Sequence, residues 1–307
     1  MTVPSGEQLE IQADGYRAVI TESGATLRVL EHEGSPLLHG FGEGQMSSAG
    51  RGQLLMPWPN RIGDGRYSFD GQDLQLPLSE PSRHNASHGL VRWAAWNTKE
   101  QVGGSVSLGY RLMAQSGYPW TVDLQVRYQL SADGLTVTQT ATNCSEQPAP
   151  YASGAHPYLT AGSGPVDTWE LTVPASLRLL SDERQLPVGE EHVAGTAYDF
   201  RVARPVGDTR LDHAFGELDR DRDGVATAVV RDPATGRGAA LWADRHHRWL
   251  MVFSADDGWD PPRQALAVEP MTAPPDAFRS GRDLLTLAPA GETGDTVSVS
   301  WGIRAVE

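Results

Sequence analysis

Between Trp120 and Leu130 every second residue is apolar: Trp120, Val122, Leu124, Val126, Tyr128 and Leu130 alternate with Thr121, Asp123, Gln125, Arg127 and Gln129. A period of two predicts an extended strand with one face buried and one wet, as in antiparallel sheets. The same alternation recurs at Val106, Leu108, Tyr110 and Leu112, and at Val297, Val299, Trp301 and Ile303. Turn signals separate such runs at hairpin intervals: Asp70-Gly71, Asp133-Gly134, and Ala234-Thr235-Gly236 ahead of Ala239-Ala240-Leu241-Trp242. No window holds a helical period for three turns, and 33 Gly and 21 Pro punctuate the chain throughout. The pattern predicts an all-β protein built as a large antiparallel β-sandwich. No fixed-period repeat or low-complexity linker divides the chain, so one domain is expected over residues 1–307. The Asp- and Arg-rich stretch from Gly207 to Gly224 reads as a solvated loop.

Charge and rare residues narrow the chemistry. A net charge of -14 with no basic stripe repels phosphate backbones, which argues against a nucleic-acid partner. Lys99 is the only lysine, and its neighbours fit neither a Schiff-base site nor a phosphate loop. A single cysteine, Cys144, permits no intramolecular disulfide and no multi-cysteine zinc site, which suits a reducing compartment, the cytoplasm by default. The first residues lack the charged and apolar regions of a signal peptide, and no apolar stretch is long enough to span a membrane.

Several clusters invite a metal and are better read otherwise. Asp219-Arg220-Asp221-Arg222-Asp223-Gly224 opens like a calcium loop, yet Val230 stands where a bidentate Glu is required. His84 and His88 are four apart in a segment too rich in Asn, Ser and Gly for a helix. Of the adjacent His246 and His247, at most one can face inward on a strand, and surface placement is expected.

Other positions carry chemistry on stiff backbone. Met56-Pro57-Trp58-Pro59-Asn60-Arg61 places an amide, a guanidinium and an aromatic beside two prolines, although Arg61 alone suits a surface ion pair equally well. His88 precedes Gly89, and Asp212-His213-Ala214-Phe215 offers a carboxylate that also suits a turn cap. His156 and Glu269 each precede a proline, which drives both toward extended geometry. Glu269 also follows the apolar run Ala265-Leu266-Ala267-Val268, placing a carboxylate at the end of a buried strand, where desolvation raises its pKa.

Taken together and in order, Asn60-Arg61-Ile62, Gly65-Arg66-Tyr67, His88-Gly89, Gly117-Tyr118-Pro119, His156-Pro157-Tyr158-Leu159, Leu211-Asp212-His213-Ala214-Phe215 and Val268-Glu269-Pro270 resemble the aldose 1-epimerase (mutarotase) family. The resemblance implies an antiparallel β-sandwich with a sugar cleft on one face. It implies Glu269 as general base, His156 as general acid, and Arg61, His88 and Asp212 as ligands of the sugar, with Asn60 beside them. Trp58, Tyr118 and Trp259 are candidates for packing on the sugar's apolar face. The reaction needs one base and one acid, hence no cofactor and no metal, and the expected partner is a small sugar, with the protein a monomer or homodimer. The Pro-Trp-Pro lead and Leu90-Val91-Arg92 resemble a bacterial branch that includes proposed sulfoquinovose mutarotases, in which Arg92 or Arg83 would meet a sulfonate. A glycoside hydrolase using Asp212 and Glu269, and a sugar-binding protein without turnover, are the competing readings.

Overall fold

The computed structural model describes residues 3–256 and 261–306. Strands take up 48% of the chain and helix 3%, so the all-β expectation holds. The alternating runs pair as neighbours: Ser105–Leu112, Val122–Ser131, Gly134–Asn143 and Thr296–Val306 lie side by side, all antiparallel. They form the centre of a nine-stranded sheet that continues through Gly238–Ala243 and Ala226–Arg231. Along Val122–Ser131 the even-numbered residues are buried and most of the odd ones exposed, as the period demands.

A second, eight-stranded sheet carries Ala175–Ser181, Asp212–Leu218, Trp249–Phe253 and Leu266–Met271, again antiparallel. One apolar cluster joins the sheets, with Val122, Val137 and Trp301 from the first and Phe215, Val252, Leu266 and Val268 from the second. Gln139 ties them through a buried polar link: its amide donates to the Gly154 carbonyl (3.2 Å) and its oxygen accepts from Trp301 Nε1 (3.1 Å). That satisfies groups that would otherwise be costly inside the sandwich. A four-stranded meander spanning Gln8–Pro36 packs Ile11, Ala18 and Leu27 onto the same core. Among the described residues, no helix is long and apolar enough to cross a membrane.

Three expectations need correction. The Gly207–Gly224 stretch is not one loop, because Asp212–Leu218 is an inner strand of the second sheet, with Leu211, Ala214 and Phe215 buried. Its charges cluster on either side of that apolar centre. Glu269 lies within Leu266–Met271 and not at its end. The N–H groups of Val268 and Thr272 donate to Pro157 and Ser153; Pro270 falls between them, where its missing N–H faces the segment carrying His156. His247 is fully buried and pairs with Asp244 (2.9 Å), while His246 stays near the surface.

Candidate active site

Side-chain alternation sends Val268 into the core and Glu269 to the opposite face of the second sheet, next to Met251, its partner across the ladder. Asp212 starts the strand beyond Trp249–Phe253, paired with Phe253, and faces the same way. Loops from the other end of the chain close over this face and leave a cleft of about 430 Å³, lined by Asn60, Arg61, Glu80, His88, Arg92, His156, Asp212 and Glu269, with Ser47–Gly50 on one side.

The Asn60 and His88 turns are interlocked. Both residues have positive φ (54° and 60°); the Asn60 N–H donates to His88 Nδ1 (3.2 Å) and the His88 N–H to the Asn60 carbonyl (2.7 Å). Such backbone outliers are costly and cluster at functional sites. The next residue must be glycine, because a Cβ at Gly89 would lie 2.0 Å from the Met56 carbonyl oxygen. With Nδ1 accepting, His88 carries its proton on Nε2, and burial together with His156, Arg92 and Arg61 holds the ring neutral.

Arg61 opens the short strand Arg61–Gly63, paired with Asn85–Ser87. Its guanidinium forms a two-pronged bond to Glu80 (Nε to Oε2 2.7 Å, Nη2 to Oε1 3.0 Å), and Arg83 reaches the same carboxylate at 3.2 Å. That planar fork fixes Arg61 in orientation as well as in charge. Arg92 is different: its Nη2 donates to the Ser87 carbonyl (3.4 Å), and no carboxylate within ion-pair distance is found among the described residues. Desolvation lowers its pKa.

At the base of the cleft His156 Nε2 lies 3.3 Å from Glu269 Oε1, both side chains being under a tenth exposed. His156 Nδ1 and Glu269 Oε2 have no hydrogen-bond partner among the described residues. Burial, reinforced by the Asp212 charge, pushes the Glu269 carboxyl well above the ordinary carboxylate range, with Arg61 opposing. Burial and the Arg92 charge push the His156 imidazole down to about 3. The two buried groups are thus driven in opposite directions, the carboxyl up and the imidazole down.

The fold thus gathers Asn60, Arg61, His88, His156, Asp212 and Glu269 around one cleft, and Arg83 and Arg92 with them. It does not bring Trp58 or Tyr118. Trp58 is buried edge-on to Phe278 (5.6 Å), and Tyr118 is buried with its hydroxyl donating to the Pro150 carbonyl (2.9 Å), so both belong to the core. Trp259 lies outside the described residues. The aromatics in the lining are Trp93, 52% exposed, Phe253 and Tyr158. Glu80 was also missed, although it precedes Pro81 and carries the same pre-proline signal as His156 and Glu269. His84 and His88 diverge, His84 turning out to Asp64 (2.9 Å). In the Asp219–Gly224 segment, Asp221 Oδ1 accepts the N–H groups of Asp223 and Val225, an ordinary Asp turn.

The family model described as aldose 1-epimerase matches residues 7–300. The chain belongs to the aldose 1-epimerase family. An Escherichia coli relative of this aldose 1-epimerase family chain, the uncharacterised protein YihR, is 36% identical over 284 residues, covering 92% of this chain and 89% of that protein. A rat galactose mutarotase is 30% identical over 260 residues, covering 76% and 75%. The structure of a GalM/aldose epimerase homologue from C. elegans superposes with a TM-score of 0.84 over 98% of this chain and 99% of that one; at 19% identity it is a likeness of fold.

Proposed function

We propose that this protein is a mutarotase, interconverting the α and β anomers of an aldose, and the observation that carries the reading is the Glu269–His156 contact at the base of a cleft lined by sugar-competent donors. Ring opening takes a proton from the C1 hydroxyl, delivers one to the ring oxygen and breaks the C1–O5 bond. Rotation of the resulting aldehyde and closure on its other face reverse the roles. Glu269 is the base and His156 the acid. No proton is gained or lost overall, so the pair needs to hold one proton between them. Burial favours the neutral arrangement, carboxylic acid and imidazole; moving that proton across the 3.3 Å contact gives the carboxylate and imidazolium that the two roles require. Arg61 favours the carboxylate half of the second arrangement and opposes the imidazolium half. Arg61, Asp212 and the Nε2–H of His88 hold the hydroxyls, and Trp93 and Phe253 offer apolar faces. A two-carboxylate hydrolase would leave His156 without a task.

The pH dependence follows from that one-proton requirement. Adding a second proton removes the base, and losing the only proton removes the acid. With the imidazole pushed down to about 3, kcat/KM is expected to show no acid limb above pH 5, and the raised carboxyl moves the alkaline limb upward. Polarimetric initial rates corrected for buffer catalysis check this; a fall centred on an ordinary histidine value near 6.5 would oppose it.

Arg92, partly buried and with no carboxylate within ion-pair distance among the described residues, supports a substrate with an anionic substituent, and we assign it with Arg83 to a sulfonate such as that of sulfoquinovose. Charge-assisted hydrogen bonds of about 1.5–3 kcal/mol correspond to roughly 10- to 100-fold in kcat/KM. The double variant R83Q/R92Q is therefore expected to lose about that factor on sulfoquinovose and stay within about threefold on glucose; equal losses on both sugars would remove the assignment. The exposed lone thiol of Cys144 fits a cytoplasmic setting.

The decisive experiment is NMR magnetisation exchange between the anomeric signals of glucose, galactose and sulfoquinovose. Enhanced exchange establishes the activity and ranks the sugars. No enhancement with any of them, by a folded protein, moves the reading to sugar binding without turnover.

A further inference from the structure

An imidazole that trades protons in a buried site is ordinarily oriented by a hydrogen bond to its second nitrogen. His156 has no such partner on Nδ1 among the described residues. What surrounds the ring instead is flat and close. Tyr158 stacks on one face at 4.9 Å between centroids and 16° between planes. The backbone of Gly50 presses on the ring as well: a Cβ there would lie 2.7 Å from Cδ2 and 3.1 Å from Cγ and Nε2. His88 meets the ring edge-on at 5.4 Å.

These walls are themselves tied to the His156 backbone. The Gly52 N–H donates to the His156 carbonyl (2.9 Å), the His156 N–H donates to the Gln53 carbonyl (3.0 Å), and the Tyr158 hydroxyl donates to the Ala49 carbonyl (3.0 Å). Gly50 holds φ of 75°, a conformation that lets its bare Cα approach the ring. The segment 49–53 and the segment 156–158 are therefore tied to each other around the imidazole.

We propose that Tyr158 and Gly50 are positioning residues for His156, forming a slot that replaces the missing hydrogen bond to Nδ1, with the π-face of Tyr158 stabilising the imidazolium when it forms. The electron-rich ring face is the electrostatic partner that a stacked cation finds. The inference rests on the mutarotase reading for its kinetic consequence, but the slot itself does not depend on it. His156 also faces Glu269, His88, Arg61 and Arg92; both arginines disfavour its charged form and its own backbone favours it, and Glu269 and the Tyr158 ring face lie where they would add to that support.

The test compares wild type, Y158F, Y158L and G50A, with thermal melts to show folding and ¹H–¹⁵N spectra of the histidine rings. In the wild type, the His156 ring protons are expected upfield of ordinary histidine values through the Tyr158 ring current; unshifted protons overturn the proposal even if no variant folds. Y158F keeps the stack but loses the bond to the Ala49 carbonyl, and is expected to lose less in kcat than Y158L; an equal loss in the two overturns the role of the ring face. Y158L is expected to lose 10- to 100-fold in kcat with KM within about threefold, and its His156 to protonate at lower pH. A folded Y158L with unchanged kcat and His156 titration overturns the proposal. G50A, in which the new Cβ displaces the ring, is expected to mirror Y158L. If the wild type catalyses no anomer exchange, the mutarotase reading fails, while the ring shifts and His156 titration still decide the slot.

Discussion

Replacing Glu269 by Gln is expected to lower the rate of anomer exchange by at least two orders of magnitude and, at the same time, to make the protein more stable at neutral pH. The kinetic loss follows from removing the carboxylate that contacts His156; a positioned base is typically worth roughly 10²–10⁴. Gln keeps the size and one oxygen, so sugar binding survives and the loss falls on kcat. The stability gain follows from linkage. The folded-state pKa of Glu269 is raised by burial and by Asp212, so the unfolded chain releases its proton first as pH increases. Relative to a neutral isostere, Glu269 costs nothing below the unfolded carboxyl value near 4.3. Above it, the cost grows by about 1.4 kcal/mol per pH unit until the folded value is passed. E269Q should therefore melt above wild type at pH 7 and alongside it at pH 4. Thermal melts at the two pH values and NMR exchange on the same samples check both halves. Near-wild-type turnover would remove Glu269 as the base, and an equal stability difference at both pH values would show that packing and not ionisation is responsible.

The substitution R61Q should have the second-largest effect and the opposite sign in stability. Arg61 holds Glu80 through two bonds and faces the carboxylates of Asp212 and Glu269, which it helps to keep ionisable. Removing one member of a buried pair leaves the other charge uncompensated, at about 3–5 kcal/mol. The lower end applies, because Glu80 retains Arg83 and Asn85 and keeps a fifth of its side chain exposed. At about 2–4 °C per kcal/mol the melting temperature should fall by at least roughly 5 °C. Catalysis suffers twice, through lost hydroxyl contacts and through a carboxylate at Glu269 that is harder to form. Both KM and kcat should worsen. The companion variant E80Q separates the roles: it leaves the Arg61 charge in place but loosens its fork, so KM should rise with kcat less affected. Steady-state kinetics of both variants with calorimetry decide the matter, and an R61Q protein of unchanged melting temperature would show the pair to be energetically neutral.

The central strands Val122–Ser131 and Gly134–Asn143 of the nine-stranded sheet were legible because one face of each is buried and the other is not. Val122–Ser131 states its own register in its alternation, and Asp133-Gly134 states where it turns. The pre-proline positions of His156 and Glu269 were legible for a similar reason: proline restricts its neighbour locally, whatever the rest of the chain does. The order of polar motifs from Asn60 to Pro270 carried the family, which the match over residues 7–300 shows.

The inner strands of the second sheet were not legible in this way. Leu266–Met271 is buried on both faces, so it has no alternation to show that Glu269 points to the cleft and Val268 to the core. Asp212 was a candidate from the sequence, but its strand was hidden among neighbouring charges because only pairing with Trp249–Phe253 makes the segment extended. Which aromatics face a ligand was decided by packing: Trp58 and Tyr118 fill gaps in the core, and Trp93, in no motif, stands at the cleft. The sequence by itself determined the period, the turns and the stiff points, which are local properties of the backbone. Which side chains share the cleft was left to the tertiary structure, because Glu269, His156, Arg61 and Glu80 are far apart along the chain. Their contacts and shifted pKa values exist only once the sheets and loops exclude water around them.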